Sequence, residues 1–222
     1  MSADRLPINE IFETIQGEGL WTGTPSIFVR IQGCDVGCPW CDTKHTWELD
    51  PLRQITDDEM IVKEKDADTY AICDVLDLAD YCGSLESRHV VITGGEPCDH
   101  DLALLCQALS SRRKTVQIET SGTAQVRAGH AWVTVSPKVN MPGGKLVLRD
   151  AIERADEIKM PVGKMADVER LKGILAALKT TDIPVWLQPL SQSEKATALC
   201  IEQARINGWR LSAQLHKYIK VR

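Results

Sequence analysis

Seven short apolar runs alternate with amphipathic stretches along most of this chain, and that alternation constrains the fold more than any other feature. Ser26–Ile31 (SIFVRI) is the first run. Arg88–Thr93 (RHVVIT), Thr115–Thr120 (TVQIET), Trp132–Ser136 (WVTVS), Asp156–Met160 (DEIKM), Pro184–Gln188 (PVWLQ) and Arg210–Leu215 (RLSAQL) follow. They have strand length and most carry β-branched or aromatic residues, so all seven are predicted as buried or half-buried strands. Between several of them lie helical stripes. Ile72, Val75, Leu76 and Ala79 share one face, as do Leu102, Leu105, Cys106 and Leu109, and again Val168, Leu171, Leu175 and Leu178. Ser191–Asn207 is predicted as the last helix, stopped by Gly208. The charged, poorly periodic stretch Asp50–Asp68 is expected to be an irregular insertion with room for a short helix.

Strands alternating with helices pair in parallel through right-handed crossovers. Open doubly wound sheets and (β/α) barrels both satisfy this. A closed eight-unit barrel takes about 250 residues, and this chain has 222 residues and fewer units. The expected fold is therefore α/β, a partial (β/α) barrel of about six parallel strands, formed as one domain over residues 1–222. Polar motifs follow the strands: Gln32-Gly33-Cys34, Thr93-Gly94-Gly95-Glu96-Pro97, Glu119-Thr120-Ser121-Gly122, Ser136-Pro137-Lys138, Gln188-Pro189 and Gln214–His216. Carboxyl ends of parallel strands line one mouth, where ligands bind. Turns alone explain the glycines and prolines there, but not the recurring charged and amide groups.

The net charge is -5, with 26 basic and 31 acidic residues. No concentrated basic face is indicated, so a nucleic-acid partner is not expected. No apolar run reaches membrane-spanning length, and the amino-terminal Met-Ser-Ala-Asp-Arg-Leu-Pro carries no signal-peptide pattern. A cytoplasmic location without membrane attachment is expected. In that setting the eight cysteines are core residues, metal ligands or catalytic groups more readily than disulfides. Cys73, Cys82, Cys106 and Cys200 are scattered among helical patterns. Cys34, Cys38 and Cys41 stand together, spaced C-x3-C-x2-C, with Gly33 and Gly37 allowing a tight loop. Three close thiolates suit an iron–sulfur cluster or zinc. Structural zinc wants a fourth ligand, for which His45 and Cys98 are available.

Three cysteines on a four-iron cluster leave one iron open to a small molecule. The triplet resembles the signature loop of the radical S-adenosylmethionine superfamily, and Gly94-Gly95-Glu96-Pro97 resembles that superfamily's glycine-rich motif. The resemblance implies a [4Fe–4S] cluster held by Cys34, Cys38 and Cys41. S-adenosylmethionine would bind the open iron and be cleaved to yield a hydrogen-abstracting radical. A finer likeness covers nearly the whole chain. Gln16-Gly17-Glu18-Gly19, Arg30, the run Cys41-Asp42-Thr43-Lys44-His45-Thr46-Trp47, Ser136-Pro137-Lys138 and Gln214–Tyr218 resemble the 7-carboxy-7-deazaguanine synthase family, especially its enterobacterial type.

That likeness implies conversion of 6-carboxy-5,6,7,8-tetrahydropterin to 7-carboxy-7-deazaguanine with loss of ammonia, a lyase step in queuosine and 7-deazapurine biosynthesis. It implies a reduced barrel, a homodimer, and a flavodoxin or ferredoxin as reductant. By the same likeness, Trp40, Cys41, Asp42, Gly95, Ser136, Pro137 and Lys138 contact S-adenosylmethionine. Ile15, Gln16, Gly17, Arg30 and Thr93 contact the pterin, and Thr43 binds Mg2+; Gln188 and His216 are rim candidates. Arg30 suits a carboxylate because its planar fork pairs bidentately. Each residue also has a plainer role to test: an ion pair for Arg30, a helix cap for Thr43, packing for Trp40 and Trp47, solvation for Gln16 and Glu18. No side chain declares itself in the sequence as a general acid or base. A glycyl-radical-activating enzyme shares the loop spacing, and a zinc-stabilised binding protein is the reading from another class.

Overall fold

The computed structural model describes residues 4–178, 182–219 and 221, so the first three residues of the amino-terminal stretch read above lie outside it. Nine strands form one sheet: β1 (Arg5–Ile15), β2 (Pro25–Ile31), β3 (Ala71–Asp74), β4 (His89–Gly94), β5 (Thr115–Thr120), β6 (Trp132–Val135), β7 (Glu157–Val162), β8 (Val185–Pro189) and β9 (Arg210–Leu211). Their spatial order is β3-β1-β2-β4-β5-β6-β7-β8-β9. From β2 to β9 every pair is parallel. β1 runs antiparallel to both β2 and β3. β3 and β9 are the two ends of the order, so the sheet is an unclosed partial barrel.

The helices are α1 (Asp57–Ile61), α2 (Val75–Ser84), α3 (Ala103–Ser111), α4 (Arg149–Arg154), α5 (Met165–Ala176), α6 (Glu194–Asn207) and α7 (Leu215–Ile219). Their ends are chemically marked. The Asp74 side chain accepts from Leu76 N and Asp77 N to start α2, and Ser193 starts α6. Gly208, at φ 70°, ends α6 in the left-handed conformation that glycine adopts without penalty. Among the described residues, no helix is long and apolar enough to cross a membrane.

The two faces of the sheet differ. Because side chains alternate along a strand, Ile27, Val29 and Ile31 of β2, Val116 and Ile118 of β5, and Ile158 and Met160 of β7 enter the apolar core clusters. The intervening positions include the polar or charged Arg30, Gln117, Glu119, Thr134, Glu157 and Lys159. Gln117, Thr134 and Glu157 are fully buried. One face is a hydrocarbon layer and the other is the wall of a polar interior.

The structure enlarges the predicted sheet. Seven strands are parallel, rather than about six, and β1 and β3 are additional. β1 lies outside the seven predicted runs; Asn9, Glu10 and Glu13 interrupt its apolar pattern. Ile72 is expected on one helical face with Val75, Leu76 and Ala79, but Asp74 caps that helix, which leaves Ile72 on β3 and Leu76 exposed. The Arg210–Leu215 run yields only a two-residue strand, and its end opens α7, so α6 is not the last helix. The 50–68 insertion carries a 3-10 turn and α1, the latter opened by a Thr56/Glu59 capping box.

The glycine-rich segment after β4 lies directly on the loop after β2. Gly95 N donates to Ile31 O at 2.7 Å, and Glu96 N to Gly33 O at 2.8 Å. A Cβ on Gly95 would stand 2.0 Å from the Gly33 carbonyl oxygen, and one on Gly94 would stand 2.5 Å from Ile31 N. Both neighbours are backbone and cannot swing away. Gly95→Ala should therefore lower unfolding free energy by about 3 kcal/mol or more. Urea denaturation of the anaerobic protein measures this, and an unchanged midpoint would contradict the packing described.

Candidate active site

At the carboxyl ends of the strands lies a cavity of about 570 Å3, within the usual range for small-molecule sites. Cys34, Cys38, Cys41, Trp40, Asp42 and Thr43 line it from the loop after β2. Thr93, Gly95 and Glu96 line it from the end of β4, and Glu119, Thr120 and Ser121 from β5. Ser136 and Lys138 follow β6; Lys159, Gln188 and His216 complete the wall.

The cysteine loop is closed by its own backbone. Gly33 N donates to Thr46 O and Cys34 N to Trp47 O, at 2.7 and 3.0 Å, while Cys41 N donates to Cys38 O at 3.1 Å. Cys41 Sγ accepts from Thr43 N and from Trp47 Nε1, both at 3.4 Å. Burial pushes the Cys34 thiol up to about 11, against a hydrogen bond from Val36 N, and raises Cys38 as well. A bound metal reverses this, because coordinated thiols are deprotonated.

The donor set fits an iron–sulfur cluster. Tetrahedral zinc with Zn–S bonds of about 2.3 Å would bring its sulfurs to about 3.8 Å apart. Among the described residues the three sulfurs do not form a set within 4.8 Å of one another. Neither proposed fourth ligand for zinc lines the cavity. His45 instead groups with Glu10 and Asp66, and Cys98 is a core thiol, pushed up by burial to about 12. Cys73, Cys82, Cys106 and Cys200 are likewise buried and free.

Glu96 is anchored to the neighbouring strand. Its carboxylate accepts from Cys98 N at 3.0 Å, Thr120 Oγ1 at 2.5 Å, Ser121 N at 2.8 Å, and Ser121 Oγ. It thereby fixes the loop after β4 to the loop after β5. Lys138 Nζ donates to Ser136 O and Oγ, at 3.0 and 2.5 Å. Burial lowers its affinity for a proton, opposed chiefly by Cys38.

The charged heart of the cavity is Lys159. Its ammonium pairs with Glu119 Oε2 at 2.7 Å and with Glu18 Oε2. Glu18 Oε1 also accepts from Gln214 Nε2 at 2.9 Å and Gln188 Nε2 at 3.3 Å. For Glu18, burial favours the neutral acid, but Lys159 and the Gln214 amide outweigh it and hold the carboxyl below its ordinary range. For Glu119 burial prevails over Lys159, with Glu18 and Glu157 adding repulsion, and the carboxyl rises to about 7. Burial opposes charge on Lys159 too, but the carboxylates keep it protonated.

Most of the expected site residues meet at this cavity; three do not. Ile15 is held in the β1–β2 pairing opposite Pro25. Gly17 packs under His216, whose Nδ1 would lie 2.7 Å from a Cβ there. Pro137 faces an adjoining cavity together with Trp40. Gln16 lines the site, but its side chain is engaged with Gln117 Oε1 and Glu18 N at 3.1 Å each. Arg30 lines the cavity and forms the ion pair named as its plainer role, with Glu10 at 2.6 Å. The Thr43 hydroxyl caps no helix. Glu18 is enclosed by partners rather than solvated. The Glu119–Lys159 pair was missed as a site, although charged residues inside the TVQIET and DEIKM strands were a visible signal.

The fold and the three-cysteine cavity define a radical S-adenosylmethionine protein, and the radical SAM superfamily profile matches residues 28–188. The 7-carboxy-7-deazaguanine synthase of Escherichia coli K12 is 52% identical over 220 residues, covering 97% of this chain and 98% of that one. That of Buchnera aphidicola subsp. Schizaphis graminum is 44% identical, covering 97% and 99%. The crystal structure of QueE from Escherichia coli superposes with a TM-score of 0.91 over 96% of this chain and 95% of that one, at 52% identity. This chain belongs to the 7-carboxy-7-deazaguanine synthase family.

The raised Glu119 carboxyl has a consequence for stability. A carboxyl at about 7 when folded and near 4.5 when unfolded binds its proton more tightly in the folded state. Its effect is neutral below about pH 4.5, and stability is then lost as pH rises through 7. Glu119→Gln abolishes that loss. Thermal unfolding should show the variant's melting temperature, relative to the parent, higher at about pH 8 than at about pH 5. A pH-independent difference would refute it.

Proposed function

We propose that this chain converts 6-carboxy-5,6,7,8-tetrahydropterin to 7-carboxy-7-deazaguanine, with release of ammonia. The observation that carries the reading is that Cys34, Cys38, Cys41 and Arg30 open on one cavity in a chain 52% identical to a protein bearing that synthase name. The cluster and S-adenosylmethionine, when bound, supply one-electron cleavage of a sulfonium and hydrogen-atom abstraction. In the radical steps the protein's own part is positioning and exclusion.

Cys34, Cys38 and Cys41 hold the cluster, with N–H groups of Thr43 and Trp47 stabilising charge on the third sulfur. Trp40 and Asp42 contact S-adenosylmethionine from one side, and Gly95 and Ser136 to Lys138 from the other. Arg30 pairs with the substrate carboxylate, its guanidinium braced by Glu10 and by the Phe12 ring 5.4 Å away. Thr93 and the segment Ile15–Gly17 contact the pterin; for Ile15 and Gly17 this leaves their main-chain groups. Thr43 offers one hydroxyl to Mg2+, which suffices only when substrate and water supply further oxygens. The whole of 1–222 acts as one domain, an idea supported by the single continuous sheet. A homodimer, a flavodoxin or ferredoxin reductant, a cytoplasmic setting, and the lack of nucleic-acid or membrane partners complete the proposal.

Anaerobic turnover with the carboxytetrahydropterin, reductant and S-adenosylmethionine should give a product of the deazaguanine mass. Intact cluster without product would sink the reading, and binding of a protein partner but no pterin would favour a glycyl-radical-activating enzyme. Mg2+ titrated calorimetrically should bind at least about tenfold more tightly when substrate is present. Equal affinity with and without substrate would remove Thr43 from the metal site.

A further inference from the structure

Two carboxylates share one ammonium on the cavity wall, and their surroundings are unequal. Glu18 has Lys159 on one oxygen and the amides of Gln188 and Gln214 on the other. Glu119 has Lys159 at 2.7 Å on Oε2, and on Oε1 only the Gln117 amide at 3.1 Å. Each side chain is mostly buried, at 16% and 14% exposure. Glu157, from the start of β7, lies behind them and is occupied by Thr134 Oγ1 and Leu20 N. The groups facing Glu119 are thus Gln117 on its own strand, Lys159 and Glu157 on β7, Glu18 from the loop after β1, and Lys138 from the loop after β6. One lysine cannot fully compensate two buried carboxylates, and the less supported one keeps a proton near neutrality.

Resting on the reaction proposed above, we propose that Glu119 is the catalytic residue that moves the protons of the late, non-radical steps. The ring-contracted product of the radical steps must lose ammonia and become aromatic. The Glu119 O–H bond breaks and its proton goes to the amine nitrogen. The carbon–nitrogen bond then breaks with its electron pair on nitrogen, releasing ammonia. The carboxylate takes the proton from the adjacent ring carbon as the double bond forms, and Glu119 is restored. No oxidant or reductant is consumed. Glu119 lines the cavity together with Arg30 and the cysteines, and its elevated proton affinity suits exchange in both directions near neutral pH.

The test uses anaerobic, cluster-loaded parent protein, Glu119→Gln and Glu119→Asp. The substrate carries deuterium on the carbon bearing its carboxylate. In Glu119→Gln, deuterium should still pass into S-adenosylmethionine, while product falls by at least about 100-fold and a species heavier by ammonia accumulates. In Glu119→Asp, product should be partly retained and the pH profile of product formation displaced. Product within about threefold of the parent across pH overturns the proposal, and so does an equal fall in label transfer and product, which would mark a binding role. If Glu119→Gln loses its cluster or fold, the Asp variant decides alone: parental rates and pH profile overturn it. Carbon-13 NMR of the parent, with Glu119 assigned by difference, gives a readout free of turnover. A carboxyl titrating in the ordinary acidic range also overturns the proposal. If the parent itself transfers no label and forms no product, the reaction reading has failed, and the NMR titration still judges Glu119.

Discussion

The ammonium of Lys159 is the point on which the interior of this protein turns. It projects from a parallel strand, is itself 4% exposed, and takes its two partners from β5 and from the loop after β1. Breaking such a pair by removing one member typically costs about 3–5 kcal/mol, because the partner charge remains buried. Here removal of the lysine would leave Glu18 and Glu119 without the cation they share. The network reaches further through Glu18 to Gln188 on β8 and Gln214 before α7. One buried cation thereby ties the loop after β1 and the segment before α7 to the strands of the sheet.

The cofactor side of the cavity depends on contact of a different kind. Here backbone lies on backbone: Gly94 and Gly95 against Ile31 and Gly33, and Gly143 so close to Asp35 O that a Cβ would stand 1.7 Å from it. Side chains would force these segments apart and open the cysteine loop. Glu96 then converts proximity into rigidity by capturing Thr120 and Ser121 from the next strand. Its negative charge is spent on protein donors.

Much of this was legible in the sequence because period-two alternation and strand-end motifs are local signals. Six predicted strands appear at nearly their expected positions, and the polar motifs after them do converge on one mouth. The antiparallel strands escaped detection for a physical reason. β1 carries its polar residues where their partners are distant in sequence: Asn9 with Gln32, Glu10 with Arg30. Read locally, those residues argue against a strand. The same limit hid the acid–base pair. Glu119 and Lys159 are forty residues apart, and each alone is merely a charge in an apolar run; only the parallel register of β5, β6 and β7 brings them together.

The two halves of the cavity meet at the carboxyl-terminal segment. Gln214 Nε2 reaches both Glu18 Oε1 and Asp42 Oδ2, at 2.9 and 3.3 Å, and Lys217 Nζ reaches Asp42 at 3.2 Å. Leu215 N donates to Gly17 O at 3.0 Å. The segment thus bonds at once to the loop that carries the cysteines and to the wall that carries the buried carboxylates. β9 supplies only two residues to the sheet, too few to close a barrel, so this span of side-chain and main-chain bonds takes over part of what strand pairing does in a closed one. A reaction that begins with hydrogen abstraction at one wall and ends with proton transfer at the other needs those walls held at a fixed separation. The joint at Gln214 is where the chain fixes it.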